Sequence, residues 1–275
     1  MTRETKNVVF VTGAFVSHLG WNPWIEYFEE RGYRAIAPPW PYKDGTAKEL
    51  RDRQPHDTDL AALGLQDVVD HFARIAKTFP ERPIVIGHST GGLITQILVN
   101  RDLAAAGVAI HSVPTLGVFP YELSFLRGAW RSLGLFTSVK KTYLMSFEKF
   151  QYAFVNGMPL EEQRKAYEEN VIPESKTLAR TGLTKAAAVD YDKPHPPLLF
   201  TSGSIDTIIP AQLNLRNFKR YKRNGSILEY KDFPGRNHYV LGQPTWTEDA
   251  DYILEWLERV LSNNQAAFQP RARTA

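Results

Sequence analysis

The chain contains no cysteine in 275 residues. That absence excludes disulfides, thiolate metal sites and a cysteine nucleophile together, and it fits a reducing compartment, so a cytoplasmic location is expected. An excess of one charge sign is also missing. Lys plus Arg number 33 against 30 for Asp plus Glu, a net charge of +3 with the signs interspersed. A nucleic-acid surface needs basic residues concentrated on one face, so nucleic acid is not an expected partner. There is no long unbroken apolar run either. The two charge-free stretches, 7–25 and 83–100, are interrupted by Gly, His, Ser, Thr and Asn, which a bilayer would leave without partners. No membrane insertion is expected. The polar start 1–7, followed by the short apolar run 8–11, does not read as an export signal.

What is present is ordinary globular usage, with 43% hydrophobic and 23% charged residues in a length suited to one large domain carrying an insertion. Short apolar runs alternate with segments of helical period. Strands are predicted at 8–11, 33–37, 84–86, 108–113, 198–201 and 226–230. Between them lie a helix opened by Asn22 as N-cap with Pro23 behind it, a long one striped by Leu65, Val68, Val69, Phe72, Ile75, Ala76 and Phe79, and another carrying Leu93, Ile94, Ile97 and Leu98. A helix at 213–221 and a last one bearing Ile253, Leu254, Leu257, Val260 and Leu261 complete the set, the last with Thr245 and Glu248 at capping-box spacing. Strand alternating with helix in this way predicts an α/β fold, a mostly parallel sheet of about six strands covered on both faces.

The rhythm breaks over 115–194, where aromatics crowd and no strand pattern recurs. The expected organisation is a core at 1–114 and 195–261, a helical insertion at 115–194, and a polar, flexible tail at 262–275. The charged run 161–170 reads as a solvated helix face.

The most informative residues are Gly87-His88-Ser89-Thr90-Gly91, between a strand ending at Ile86 and a helix beginning near Thr90. A serine here sits on a sharp turn, and the glycines on either side remove side chains where strand and helix approach. The turn exposes the hydroxyl and aims the Thr90 amide at the mouth of the helix, where developing negative charge is favoured. A serine hydroxyl also needs an adjacent imidazole as base and a carboxylate to fix that imidazole.

This pentapeptide resembles the nucleophile elbow of the α/β-hydrolase superfamily, and the resemblance extends from Val8 to Leu261. The chain order nucleophile, acid, histidine then implies Ser89, Asp206 in Gly203-Ser204-Ile205-Asp206, and His238 in Gly235-Arg236-Asn237-His238, all at strand C-terminal ends. The turn Thr12-Gly13-Ala14-Phe15 stands where family members usually carry His-Gly. The resemblance implies Ala14 as the second oxyanion donor beside Thr90, with Phe15 the nearest competitor. It also matches the insertion to the family's cap, with Phe119, Tyr121, Phe125, Trp130 and Phe147 as candidates for an apolar pocket wall, and Trp21 and Trp40, on the loops after the first two strands, for its mouth.

The implied activity is hydrolysis of a carboxylic ester or lactone of a small, largely apolar substrate through an acyl-enzyme, with no cofactor and no metal. An N-acyl-homoserine lactone would suit such a pocket. Carbon–carbon bond hydrolysis, perhydrolysis and lyase chemistry stay open, as does a non-catalytic small-ligand receptor on the same fold. The remaining polar residues point elsewhere: His88 packs locally, His56, Asp57 and Asp59 read as a solvated turn with a helix cap, and His18, His111 and His195 have no partner at readable spacing. Oligomeric state leaves no sequence signal.

Overall fold

Alternation along the strands decides which face of the sheet each helix covers. In the computed structural model, which describes residues 6–127, 137–222 and 224–267, Val9 and Val11 of β1 (Asn7–Val11) join Val85 of β3 (Ile84–His88) in one apolar layer. Val8 and Phe10 join Ile84 and Ile86 in the other. The first layer is closed by α4 (Leu65–Thr78) and α5 (Thr90–Asn100) through Leu65, Val68, Phe72, Leu93 and Ile97. The second is closed by α1 (Asn22–Glu29) and α10 (Trp246–Ala267) through Trp24, Phe28, Ile253, Trp256, Leu257 and Val260. Each of these side chains contributes about 2 kcal/mol by leaving water.

With β2 (Arg34–Ile36), β4 (Ala106–Ile110), β5 (Leu198–Gly203) and β6 (Leu228–Phe233), the strands form a six-stranded, all-parallel sheet in the order β2-β1-β3-β4-β5-β6. The shorter α2 (Ala47–Asp52) and α3 (Thr58–Ala62) precede α4, and α9 (Ala211–Phe218) follows β5. The chain leaves β1 toward β2 on one side and returns to β3 on the other. The crevice in which sheets of this topology hold ligands falls at the carboxyl ends of β1 and β3.

The segment between β4 and β5 includes α6 (Phe147–Ala153), α7 (Leu160–Asn170) and α8 (Lys176–Thr181). Among its described residues the only β pairings are isolated bridges, Val16 with Val171 and Tyr143 with Glu174. Its own apolar cluster, built on Met145, Phe150, Phe154 and Val155, takes in Phe15 and Val16 from the loop after β1 and packs against Ile208 and Tyr239 from the loops after β5 and β6. The segment therefore lies on the loops at the crevice. The run 161–170 is largely exposed, with Ala166 as its buried contact. No described helix is long and apolar enough to cross a membrane.

Several boundaries differ from the sequence reading. β4 stops at Ile110 rather than continuing to Val113, because His111 adopts φ 44°, a left-handed conformation that ends the ladder. Asn22 is the first residue of α1 and not its cap, since a 3-10 turn at His18–Trp21 precedes it, capped by the Ser17 hydroxyl accepting from the Leu19 amide at 3.2 Å. The Glu248 carboxylate goes to Arg236 at 2.5 Å, so it does not complete a capping box with Thr245. The last helix runs to Ala267, past the expected end at 261, because no glycine or proline interrupts 262–267. Asp57 does act as a helix cap, accepting from the Leu60 amide at 3.0 Å.

Candidate active site

The turn at Ser89 is forced by close contact between backbones. A Cβ on Gly87 would stand 2.0 Å from the Gly91 carbonyl oxygen, and one on Gly91 would stand 2.0 Å from that of Val11. Only glycine lets β1, β3 and α5 meet here, and Ser89 is held at φ 58°, ψ −119° between them. Such a conformation costs a non-glycine residue about 1–3 kcal/mol and persists because its surroundings impose it. The Ser89 amide donates to the Ile110 carbonyl at 2.9 Å, and the Ser89 carbonyl accepts from Gly92 and Val113, each at 3.0 Å. Because the obstructing atoms are backbone, Gly91→Ala is expected to destabilise the fold by about 3 kcal/mol, read from urea unfolding.

From this elbow a hydrogen-bonded line runs inward. Ser89 Oγ lies 2.9 Å from His238 Nε2, and His238 Nδ1 lies 2.7 Å from Asp206 Oδ2. All three residues are buried. The other Asp206 oxygen, Oδ1, accepts from the amides of Ile208 at 2.9 Å and Ile209 at 2.8 Å. A fourth donor was not visible in the sequence: His111 Nδ1 also reaches Asp206 Oδ2, at 2.9 Å. Burial alone would raise the Asp206 pKa, but the charge of His238 and the hydrogen bonds from the two imidazoles hold the carboxyl well below the usual carboxylate range. His88, next to the serine, is pushed far down by its burial and by His238 and His111, so it stays neutral.

The turn after β1 lies directly on the serine, since a Cβ on Gly13 would come within 2.8 Å of Ser89 Cβ. The Ala14 and Thr90 amides donate to no backbone carbonyl among the described residues. Phe15 is different. Its amide donates to Glu174 Oε2 at 3.0 Å and its carbonyl accepts from Ile172 at 2.9 Å, which removes it as a competing oxyanion donor.

The sequence model of the Alpha/beta hydrolase family matches residues 8–250, most of the chain. The chain belongs to the alpha/beta hydrolase family. No curated protein matches it. Among solved structures, a variant of tomato methylketone synthase I complexed with beta-ketoheptanoate is similar at TM-score 0.67 and 12% identity, covering 93% of this chain and 99% of that one. A monoacylglycerol lipase of Paleococcus ferrophilus is similar at TM-score 0.65 and 20% identity, with 93% and 95% covered. A pyrethroid hydrolase from Sphingobium faniae JZ-2 gives TM-score 0.62 and 18% identity over 92% and 97%. At these identities the likeness is one of fold.

In this alpha/beta hydrolase the aromatic residues expected at a pocket are dispersed. Trp21 is 0% exposed and stacks on Phe10 at 4.5 Å, inside the layer under α1 and α10, because the 3-10 turn carries it to that face of the sheet. It is core and does not stand at a pocket mouth. Trp40 is buried in the opposite layer, with Lys43 Nζ 4.1 Å above its ring. Phe119 and Tyr121 are exposed, the latter with Arg216 4.0 Å over its face. Phe125 is half-buried in the helical residues 123–127. Phe147 packs on Tyr167 at 5.5 Å, within its own segment. Trp130 lies outside the described residues. Among the described residues Phe154 does meet the site, its ring standing edge-on to His238 at 4.8 Å. Its carbonyl also accepts from the Tyr239 amide at 3.0 Å, which locks the segment to the histidine loop.

The turn beside the serine is fixed by a buried ion pair that joins three loops. Glu174 receives the Lys43 ammonium as well as the Phe15 amide on Oε2, while Oε1 accepts from the Ser175 amide at 2.8 Å. Lys43 and Glu174 are only 3% and 2% exposed. Removing one partner strands the other charge away from water, so Glu174→Ala is expected to cost about 3–5 kcal/mol in urea unfolding. Glu174→Gln, which retains an acceptor for the Phe15 amide, is expected to cost less than Glu174→Ala.

Proposed function

We propose that the protein is a serine hydrolase of carboxylic esters or lactones with a small, largely apolar acyl group. The observation that carries the reading is the unbroken line from Ser89 Oγ through His238 to Asp206, at 2.9 and 2.7 Å. Ser89 Oγ attacks the carbonyl carbon as its proton passes to His238 Nε2. The carbonyl oxygen, now negative, is held by the amides of Ala14 and Thr90. The intermediate collapses, His238 returns the proton to the departing alkoxide, and the acyl group stays on Ser89. Water then attacks the acyl-enzyme, giving its proton to His238, and the acid departs with Ser89 reprotonated.

The choice of ester over amide rests on leaving-group chemistry, and two of the similar structures, a monoacylglycerol lipase and a pyrethroid hydrolase, are in keeping with it. Phe15, Phe154 and Ile208 come from separate loops into one apolar cluster that includes the Phe154 contact to His238. They are our candidates for the acyl-pocket wall, with the segment 115–194 acting as the cap. Fold alone does not choose the reaction, since a methylketone synthase shares it.

The test is incubation with a fluorophosphonate probe, followed by intact mass and peptide mapping, then a panel of p-nitrophenyl esters and lactones of graded acyl length. One adduct at Ser89 and turnover that peaks at a definite acyl length are expected. Ligand binding without labelling or turnover would replace the enzyme by a receptor.

A further inference from the structure

His111 is a buried imidazole with no part in the steps above, yet it shares an oxygen with the proposed relay. Its Nδ1 stands 2.9 Å from Asp206 Oδ2, the oxygen that also meets His238 Nδ1 at 2.7 Å. The three atoms lie within 4.8 Å of one another, and all three side chains are buried. We propose that His111 is a positioning residue for the relay: it donates its Nδ1 proton to Asp206, holds the carboxylate against His238, and weakens the carboxylate's hold on the His238 proton. This inference rests on the hydrolase reading of the same site.

Three further observations converge on it. His111 stands at φ 44°, a left-handed conformation uncommon for a residue with a Cβ, and such backbone clusters at functional sites. Room for the ring is made by a glycine, since a Cβ on Gly203 would stand 2.6 Å from His111 Cε1. Its buried Nε2 has no hydrogen-bond partner among the described residues. An imidazole whose Nδ1 donates to a carboxylate carries no proton on Nε2 when neutral, so the orphaned atom is a bare lone pair, a smaller penalty than an unpaired N–H.

The groups facing His111 are Asp206 and His238 from the loops after β5 and β6, and His88 from the end of β3. The His88 and His238 rings are each 6.2 Å away. Asp249 of α10 acts from further off and is itself tied to Arg236 at 2.7 Å. His88 stays neutral, so Asp206 is the charge that His111 answers. An N–H pointed at Asp206 draws on the carboxylate's negative charge. Removing it makes the carboxylate more basic and a stronger acceptor for the His238 Nδ1 proton, and moves the acid limb of activity to higher pH.

The experiment measures the rate of Ser89 modification by a fluorophosphonate against pH, in wild type, His111→Asn and His111→Leu. Asparagine Nδ2 occupies nearly the place of imidazole Nδ1 and retains the donor; leucine does not. For His111→Leu the acid limb is expected to rise by about one pH unit, with labelling slowed several-fold at neutral pH and about tenfold below the limb, whereas His111→Asn stays near wild type. Equal slowing of both variants with an unmoved limb would mean packing alone and overturn the inference. Independently of any variant's folding, 15N-histidine NMR of the wild type should show His111 with its proton on Nδ1; an Nε2–H tautomer would equally overturn it. A wild type that takes no label would sink the hydrolase reading, and the tautomer would still decide the His111 bond.

Discussion

Ser89→Ala is expected to lower kcat on the ester panel by on the order of 10^5-fold while leaving KM within a few-fold of wild type. Among the described residues the substitution deletes the one oxygen that His238 Nε2 meets, at 2.9 Å, so no covalent path through this serine remains. The oxyanion amides belong to the backbone of Ala14 and Thr90 and survive, as does whatever binds the acyl group, which is why KM should hold. The fold should hold too. The φ 58° turn is imposed by the packing of Gly13, Gly87 and Gly91 against neighbouring backbone and by the Ser89 main-chain bonds, none of which involve the hydroxyl. Residual turnover within tenfold of wild type, with unchanged melting, would mean that Ser89 is not the nucleophile.

The serine was legible because its signal is local. Glycines two residues before and after it answer contacts of 2.0 Å that any Cβ would violate, and a strand–turn–helix pattern flanks it. Asp206 and His238 were legible through chain order, which places each just after a strand. His111 was not, because its partner is 95 residues away and the two meet only when β4 and β5 lie side by side. The pair Lys43 and Glu174 was hidden for the same reason, joining the loop after β2 to the segment after β4. In that segment composition announced aromatics but could not sort them. Phe154 touches His238 while Phe119 is 81% exposed, and nothing in their neighbours' identity separates the two. Trp21 shows the opposite failure: a tryptophan in a loop near the nucleophile turn reads as a pocket residue, yet four residues of 3-10 helix rotate it into the core.

Asp206→Asn is expected to cost about 10^4-fold in kcat through a change of tautomer and not of shape, with about 1–3 kcal/mol of stability lost to the unpaired His111 Nε2–H it creates. The carboxylate is surrounded by four N–H groups: two main-chain amides on Oδ1 and two imidazole Nδ1 atoms on Oδ2. A carboxamide in the same place has one acceptor end and one donor end. Its oxygen must take the Oδ1 position, because an NH2 there would face the fixed amides of Ile208 and Ile209. The NH2 then takes the Oδ2 position and offers one hydrogen to each ring. Both rings must answer with a bare Nδ1, which moves their protons to Nε2. His238 would then present an N–H to Ser89 Oγ where it needs a lone pair, and the serine proton has nowhere to go. The same NMR experiment that assigns the His111 tautomer should record both rings switching from Nδ1–H to Nε2–H in the variant. Near-normal turnover with both rings switched would separate the tautomer from the chemistry and remove Asp206 from the proposed relay.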